Sequence, residues 1–145
     1  MKAGIYCDES WVLFVDYKME SGYRLTEKLL SCKDVPSAIL VANNEIVIGS
    51  LNKINEEGLR IPHDISIISF DDFLWSISLN PPLTAIAQPT KEIGAHPANL
   101  LVDMLVDNTK PAQTLVLESN LVVRESFGQC LVKIIQKKLK GEKYD

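Results

Sequence analysis

The chain has 145 residues, 46% of them hydrophobic and 23% charged, with three cysteines. That composition excludes a disordered tail and a disulfide-stapled miniprotein, and the length falls short of two full-sized α/β domains. Fifteen Lys and Arg against nineteen Asp and Glu give a net charge of -4, so no global positive field favours a nucleic-acid backbone.

Reading from the amino end, MKAGIYCDESW has neither the apolar run nor the small-residue cleavage region of a secretion signal, and no hydrophobic stretch reaches membrane-spanning length. Cytoplasmic residence without a membrane partner is expected. AGIYC and WVLFV suit two short strands, or a strand and an irregular buried connection. From Ser21 to Ser31, Tyr23, Leu25, Leu29 and Leu30 fall at helical spacing, with Ser21 near the amino end. KDVP breaks this helix, and AILVA then suits a strand buried on both faces, the pattern of a parallel sheet. Asn43 and Asn44 follow. EIVIGSLNKINEEG predicts a second helix on Ile46, Ile48, Leu51 and Ile54, ending before Gly58, with Asn44 as its cap.

Pro62, His63 and Asp64 turn the chain into ISIISF, a second apolar strand with Asp71 and Asp72 at its carboxyl end. Two strand–helix units of this kind predict an α/β fold with a parallel sheet flanked by helices. Asn43 and Asp71 then occupy equivalent strand ends, where open parallel sheets gather their ligands. FLWSISLNPPL predicts a short helical turn, and Pro81 and Pro82 route the chain into LTAIA, a crossover or edge strand. TKEIGAHPANLLVDMLVD carries Ile93, Leu100, Leu101, Met104 and Leu105 at helical spacing, with a kink or a start at Pro97. TLVLE and NLVV read as two short strands. The tail LVKIIQKKLKGEKYD, with Lys133, Lys137, Lys138, Lys140 and Lys143, reads as a solvated terminal helix.

Candidate chemistry is sparse and points to binding. Adjacent carboxylates leave a strand in different directions, so Asp71 and Asp72 do not form a spaced catalytic pair. Asp71 instead suits a ligand hydroxyl, amide or ring nitrogen, and Asp72 a cap on the following turn. Asn43 both donates and accepts, which suits a small polar ligand. His63 and His96 lack zinc-hydrolase spacing and read as turn or surface residues. Cys7, Cys32 and Cys130 lack zinc-site pairing, so reduced thiols and no bound metal are expected. No serine sits in G-x-S-x-G, and Gly49 and Gly94 belong to no dinucleotide or Walker motif, leaving helix packing as their role. No cofactor and no enzyme activity are therefore expected. Tyr17, Phe73 and Trp75 offer flat faces that suit a pocket wall.

In this order, ESGYRLTEKLL, VPSAILVANNEIVIGSLNKINEEGLRIPHDISIISFDD, NPPLTAIAQPTKEIG and LVVRES resemble the effector-binding core of LacI/GalR-type bacterial transcription regulators, which is periplasmic-binding-protein-like. The resemblance covers most of the chain. It implies a partial form of that fold, with residues 1–83 and 115–130 mainly in the carboxyl-terminal subdomain, 88–110 a segment of the amino-terminal one and 131–145 a helical tail. It also implies contacts of Asn43, Asp71, Gln88, Asp16 and Tyr17 with a sugar or nucleobase-like effector. Asn44 stands where an aspartate is more usual, and Pro97 where a small helix residue is common. The implied function is that of a fragment of a regulator, its effector-sensing and dimerisation region, with DNA read only through a helix-turn-helix upstream of this chain. A periplasmic-type solute-binding module and a dimerising remnant without ligand binding are the alternatives.

Overall fold

The computed structural model describes residues 8–14, 16–107, 109, 111 and 113–129. The expected AGIYC strand, Cys7, Cys130 and the 131–145 tail lie outside them. Helices α1 (Met19–Leu30), α2 (Asn44–Glu56) and α3 (Thr90–Val106) alternate with strands β1 (Ala38–Val41), β2 (Ser66–Phe70), β3 (Thr84–Ala87) and β4 (Asn120–Val122). The strands form one sheet in the order β1-β2-β3-β4. β1, β2 and β3 run parallel, and β4 joins β3 antiparallel. The expected α/β architecture is therefore present.

The core lies where α1 and α2 cover β1 and β2, around Leu29, Ile39, Val47, Ile54, Ile65 and Ile67. Helix packing is set by two glycines. A Cβ on Gly22 would lie 2.3 Å from the Ile46 carbonyl oxygen, and one on Gly49 would lie 1.9 Å from that of Met19. Only a hydrogen at these positions lets the two backbones approach so closely. Beside the crossing, the side chain of Lys53 is buried and pairs with Glu57 at 2.8 Å and Glu27 at 3.2 Å, with the ring of Tyr23 5.2 Å away. Hydrogen bonding to Glu57, working against burial, holds this ammonium above its ordinary value.

At the turn into β2, Asp64 is fully buried. It accepts from the Arg60 backbone amide at 2.8 Å and from both ends of its guanidinium at 2.9 Å. The expected turn is thus closed by a charge-assisted fork that compensates the buried carboxylate.

Several expectations are corrected. Within WVLFV, Trp11 belongs to a 3-10 turn, Glu9–Trp11, capped by Asp8, and Val12 to Phe14 are neither strand nor helix. Phe14 is 91% exposed, so the segment is not a buried connection either. Trp11 and Leu13 pack partly buried against the core, and Trp11 Nε1 donates to the Asp34 carbonyl. β1 is buried on one face only: Ile39 and Val41 point inward while Leu40 is exposed. LTAIA forms β3, an interior strand and not an edge, because the NLV strand returns beside it. TLVLE forms no strand, since its residues run exposed with no partner strand among the described residues.

Helix α3 passes through Pro97 without stopping there. Exposure along the helix leaves solvent to serve the carbonyl that a proline cannot. None of its residues is buried, and Leu101, Val102, Leu105 and Val106 are exposed. Gly94 on this helix borders open space and packs against nothing, unlike Gly49.

The two glycines therefore respond oppositely to an added methyl. Gly49→Ala forces α1 and α2 apart and is expected to cost about 3 kcal/mol or more of stability. Gly94→Ala gains about 0.5–1 kcal/mol from helix propensity where α3 is formed. Urea unfolding of the two variants checks both signs.

Candidate functional site

The parallel register carries three polar side chains to one end of the sheet. Val41 pairs with Ser69, so Asn43 and Asp71, each two residues further along, leave β1 and β2 at matching positions. Phe70 pairs with Ile86, so Gln88 leaves β3 one residue beyond the level of Asp71 and reaches it by a hydrogen bond. Neighbouring strands are spaced by about 4.8 Å, a distance that one small ligand spans.

Asp71 lies just beyond β2 with φ 75, a left-handed conformation that costs a non-glycine residue about 1–2 kcal/mol. Its surroundings fix it there. The Asp71 amide donates to the Ile86 carbonyl at 3.0 Å, Ser69 Oγ donates to the Asp71 carbonyl at 2.9 Å, and Gln88 Nε2 donates to Asp71 Oδ1 at 2.5 Å. The contact with Gln88 commits one carboxylate oxygen and leaves the other for a further donor.

Asn43, and not Asn44, caps α2. Its backbone is extended, with φ -160 and ψ 175, and its Oδ1 accepts from the Ile46 amide at 2.9 Å. Asn44 already belongs to the helix, so its side chain cannot take the capping position. With Oδ1 committed, the Asn43 amide hydrogens remain for a ligand.

Asp16 and Tyr17 precede α1, whose Gly22 lies against Ile46 in the first turn of α2. They therefore approach the sheet from the helix side. Asp16 accepts from Ser21 Oγ and pairs with Lys18 at 3.5 Å. The Ser21 bond chiefly holds its carboxyl below the usual range. Ser21 thus anchors the pre-helix loop. Tyr17 has φ 43 and is 67% exposed, leaving its ring open to solvent.

Phe73 and Trp75 stack on each other, with centroids 5.6 Å apart and planes 7° from parallel. Trp75 also packs against the core, so this ring supports the segment between β2 and β3. Leu74 and Ile77 alongside are exposed. His63 and His96 are both exposed, and no three His, Cys, Asp or Glu side chains among the described residues are grouped to hold a metal. No helix among them is long and apolar enough to cross a membrane. An open cavity of about 900 Å³ lies between α3 and residues 113–117, lined by Ile93, Pro97, Leu100 and Leu115. His96, Glu92 and Asp103 also line it, and none of the expected site residues borders it.

Arg124 went unnoticed in the sequence. It forks onto Asp72, with contacts of 2.8 and 2.7 Å, and also donates to the Leu83 carbonyl at 2.6 Å. Asp72 is therefore chiefly an ion-pair partner, with a lesser hydrogen bond to Ser76 in the turn that follows. The only signal was a lone arginine inside LVVRES, which nothing local ties to a residue 52 positions away.

The Arg124 hydrogen bonds hold the Asp72 carboxyl below its ordinary value of 3.8. Its contribution is therefore complete above that value and is lost as pH falls through the depressed folded one. Asp72→Asn is expected to cost about 2 kcal/mol at neutral pH, with the gap to the parent chain closing in strong acid. Denaturant unfolding at the two pH values reads the difference.

Residues 2–127 match the periplasmic binding protein-like domain family. The chain is 36% identical over 120 residues to the HTH-type transcriptional repressor PurR of Edwardsiella ictaluri, covering 83% of this chain and 35% of that protein. The PurR of Erwinia tasmaniensis is 32% identical over 127 residues, covering 88% and 37% of the two chains. The chain thus spans little more than a third of these curated relatives. Among solved structures, a LacI transcriptional regulator of Bacillus cereus subsp. cytotoxis matches with TM-score 0.82 and 28% identity, over 88% of this chain and 45% of that one. The regulator CelR in complex with cellobiose matches with TM-score 0.80 and 34% identity, over 87% and 38%. A LacI family regulator of Enterococcus faecalis with bound ribose matches with TM-score 0.72 and 30% identity, over 79% and 42%. With its sheet order, its helices and a family match across most of its length, the chain belongs to the periplasmic binding protein-like domain family, as part of the effector-binding region of the LacI/GalR-type transcriptional regulators.

Proposed function

We propose that this chain senses a sugar-like effector for a LacI-type transcription regulator and that Asn43, Asp71 and Gln88 form the effector-facing edge of its sheet. The observation that carries this reading is that Asn43 and Asp71 leave β1 and β2 in register at their carboxyl ends, with Gln88 beyond the carboxyl end of β3 hydrogen-bonded to Asp71. Open α/β sheets bind ligands at that end. Tyr17, with Asp16 beside it, supplies an aromatic face for stacking on a sugar ring, and Phe73 borders the same segment as Asp71. Trp75 contributes through its stack with Phe73. Bound cellobiose and bound ribose in two similar regulators support a carbohydrate ligand.

In this reading, residues 1–83 and 115–130 belong mainly to one subdomain and residues 88–110 to a second. Effector binding shifts their arrangement in a cytoplasmic homodimer, and a helix-turn-helix encoded upstream reads DNA. Sequencing the adjacent upstream DNA tests the assignment: a DNA-binding head supports it, and a secretion signal without such a head rejects it.

For the ligand itself, titration calorimetry of the chain with D-ribose and cellobiose is expected to give a saturable heat for at least one sugar. Asp71→Ala and Tyr17→Ala should each weaken binding by about tenfold or more, the loss of one charged hydrogen bond or one stacked face. Saturable binding unaffected by both changes rejects the proposed edge. Exposure of Leu101 and Leu105 on α3 favours a second reading, association of copies without ligand binding. Under it, sedimentation shows a dimer that Leu105→Glu dissociates, and calorimetry shows no sugar heat.

A further inference from the structure

We propose that Arg124 is a positioning residue for the Asp71 carboxylate, acting through Asp72 and never touching the ligand. This rests on the reading of Asp71 as an effector contact, and its structural half is tested separately from that reading.

The geometry starts from the left-handed backbone of Asp71, at φ 75. An aspartate stays in that region only where the chain on both sides over-determines it. On the upstream side, the Asp71 amide is tied to the Ile86 carbonyl of β3 at 3.0 Å. On the downstream side, both oxygens of Asp72 are held in the Arg124 fork, a planar bidentate arrangement that fixes direction as well as distance.

Arg124 is itself pinned to the beginning of β3. Its backbone amide donates to Thr84 Oγ1 at 2.9 Å, and its guanidinium donates to the Leu83 carbonyl at 2.6 Å. The same strand therefore references Asp71 twice: directly through Ile86 near its end, and through Arg124 and Asp72 from its start. The pair is well shielded, with side-chain exposures of 17% and 20%, so water competes weakly for the fork. Losing the guanidinium frees the Asp72 carboxylate. Asp71 then relaxes toward an ordinary extended conformation, and its side chain leaves Gln88. Binding energy that a ligand would have gained from a preset acceptor is spent on ordering it.

The test reads Gln88 directly, without ligand. In the 15N-labelled chain, the side-chain amide resonances of Gln88 report its bond to Asp71, and Asp71→Ala calibrates their position when that bond is absent. Arg124→Met is expected to move them most of the way to the Asp71→Ala position, and Arg124→Lys part of the way. Arg60→Met removes the guanidinium of the other Arg–Asp fork, at Asp64, and is expected to lower stability while leaving the Gln88 resonances in place. Unmoved Gln88 resonances in Arg124→Met overturn the proposal, as does an equal displacement in Arg60→Met. If Arg124→Met fails to fold, Arg124→Lys decides by the same criterion. Calorimetry with D-ribose and cellobiose on the parent chain is read apart from this: absence of heat counts against the effector role of Asp71, while the Gln88 shift still decides whether Arg124 positions it.

Discussion

The Ser126 hydroxyl lies between two strands and belongs to neither. It accepts from the Thr84 amide at 2.8 Å and donates to the Ile67 carbonyl at 2.7 Å, while the Ser126 backbone carbonyl accepts from the Ile67 amide at 3.0 Å. Ser126 is 1% exposed, so each of these groups would be costly to leave unpaired. A residue far along the chain thus closes the entrance of β2 and β3, where ladder bonds alone would leave backbone groups without partners. Glu125 and Ser126 both donate to the Pro82 carbonyl, and Arg124 completes the seam on Asp72. The returning segment is therefore part of the sheet's hydrogen bonding, and the alignment of Asn43, Asp71 and Gln88 depends on it.

Stability is distributed unevenly as a consequence. β1, β2, α1 and α2 share a closed apolar core, and the glycine crossing brings their backbones together. Helix α3 buries none of its residues, although four of its last six are large and exposed apolar side chains. An amphipathic helix gains most of its stability from the face it buries. By that measure α3 contributes little to holding the described fold, and its exposed face departs from an apolar-inside pattern. The segment from 113 to 117 runs beside it and covers only part of that face.

Elements with a strong local signal were legible in the sequence. AILVA and ISIISF became β1 and β2, the Tyr23–Leu30 periodicity became α1, and the two strand ends that expose Asn43 and Asp71 followed from those elements. Long-range pairing was not legible. TLVLE and NLVV have similar strand composition, yet only NLV finds β3 beside it, because strand formation needs a partner and composition reports only suitability for one. Adjacent asparagines posed a finer problem: a shift of one residue in the helix start transfers the cap from Asn44 to Asn43. Asp72 looked like a turn residue because its partner lies on the other side of a helix and a returning strand. Lys53 carried no local signal within NKINEE, whereas Glu27 on α1 and Glu57 after α2 draw its ammonium into their interface.

The cap at Asn43 also constrains the chemistry of the strand ends. Its oxygen accepts from the Ile46 amide, which orients the side chain and leaves its two N–H donors unspent. Asp71 is an acceptor, and Gln88, having given one N–H to it, keeps a second N–H and its carbonyl oxygen. Across β1, β2 and β3, the unspent groups therefore mix donors with acceptors. A hydroxyl can donate and accept at once, so neighbouring hydroxyls on one ring satisfy this pattern without any change in protonation. A phosphate or carboxylate brings acceptors only: it meets Asp71 as a like charge, while Arg124 in the returning segment is already committed to Asp72 and Leu83. Under the proposed reading, the Asp71 carboxylate disfavours an anion, and the mixed donors and acceptors around it suit a neutral polyol.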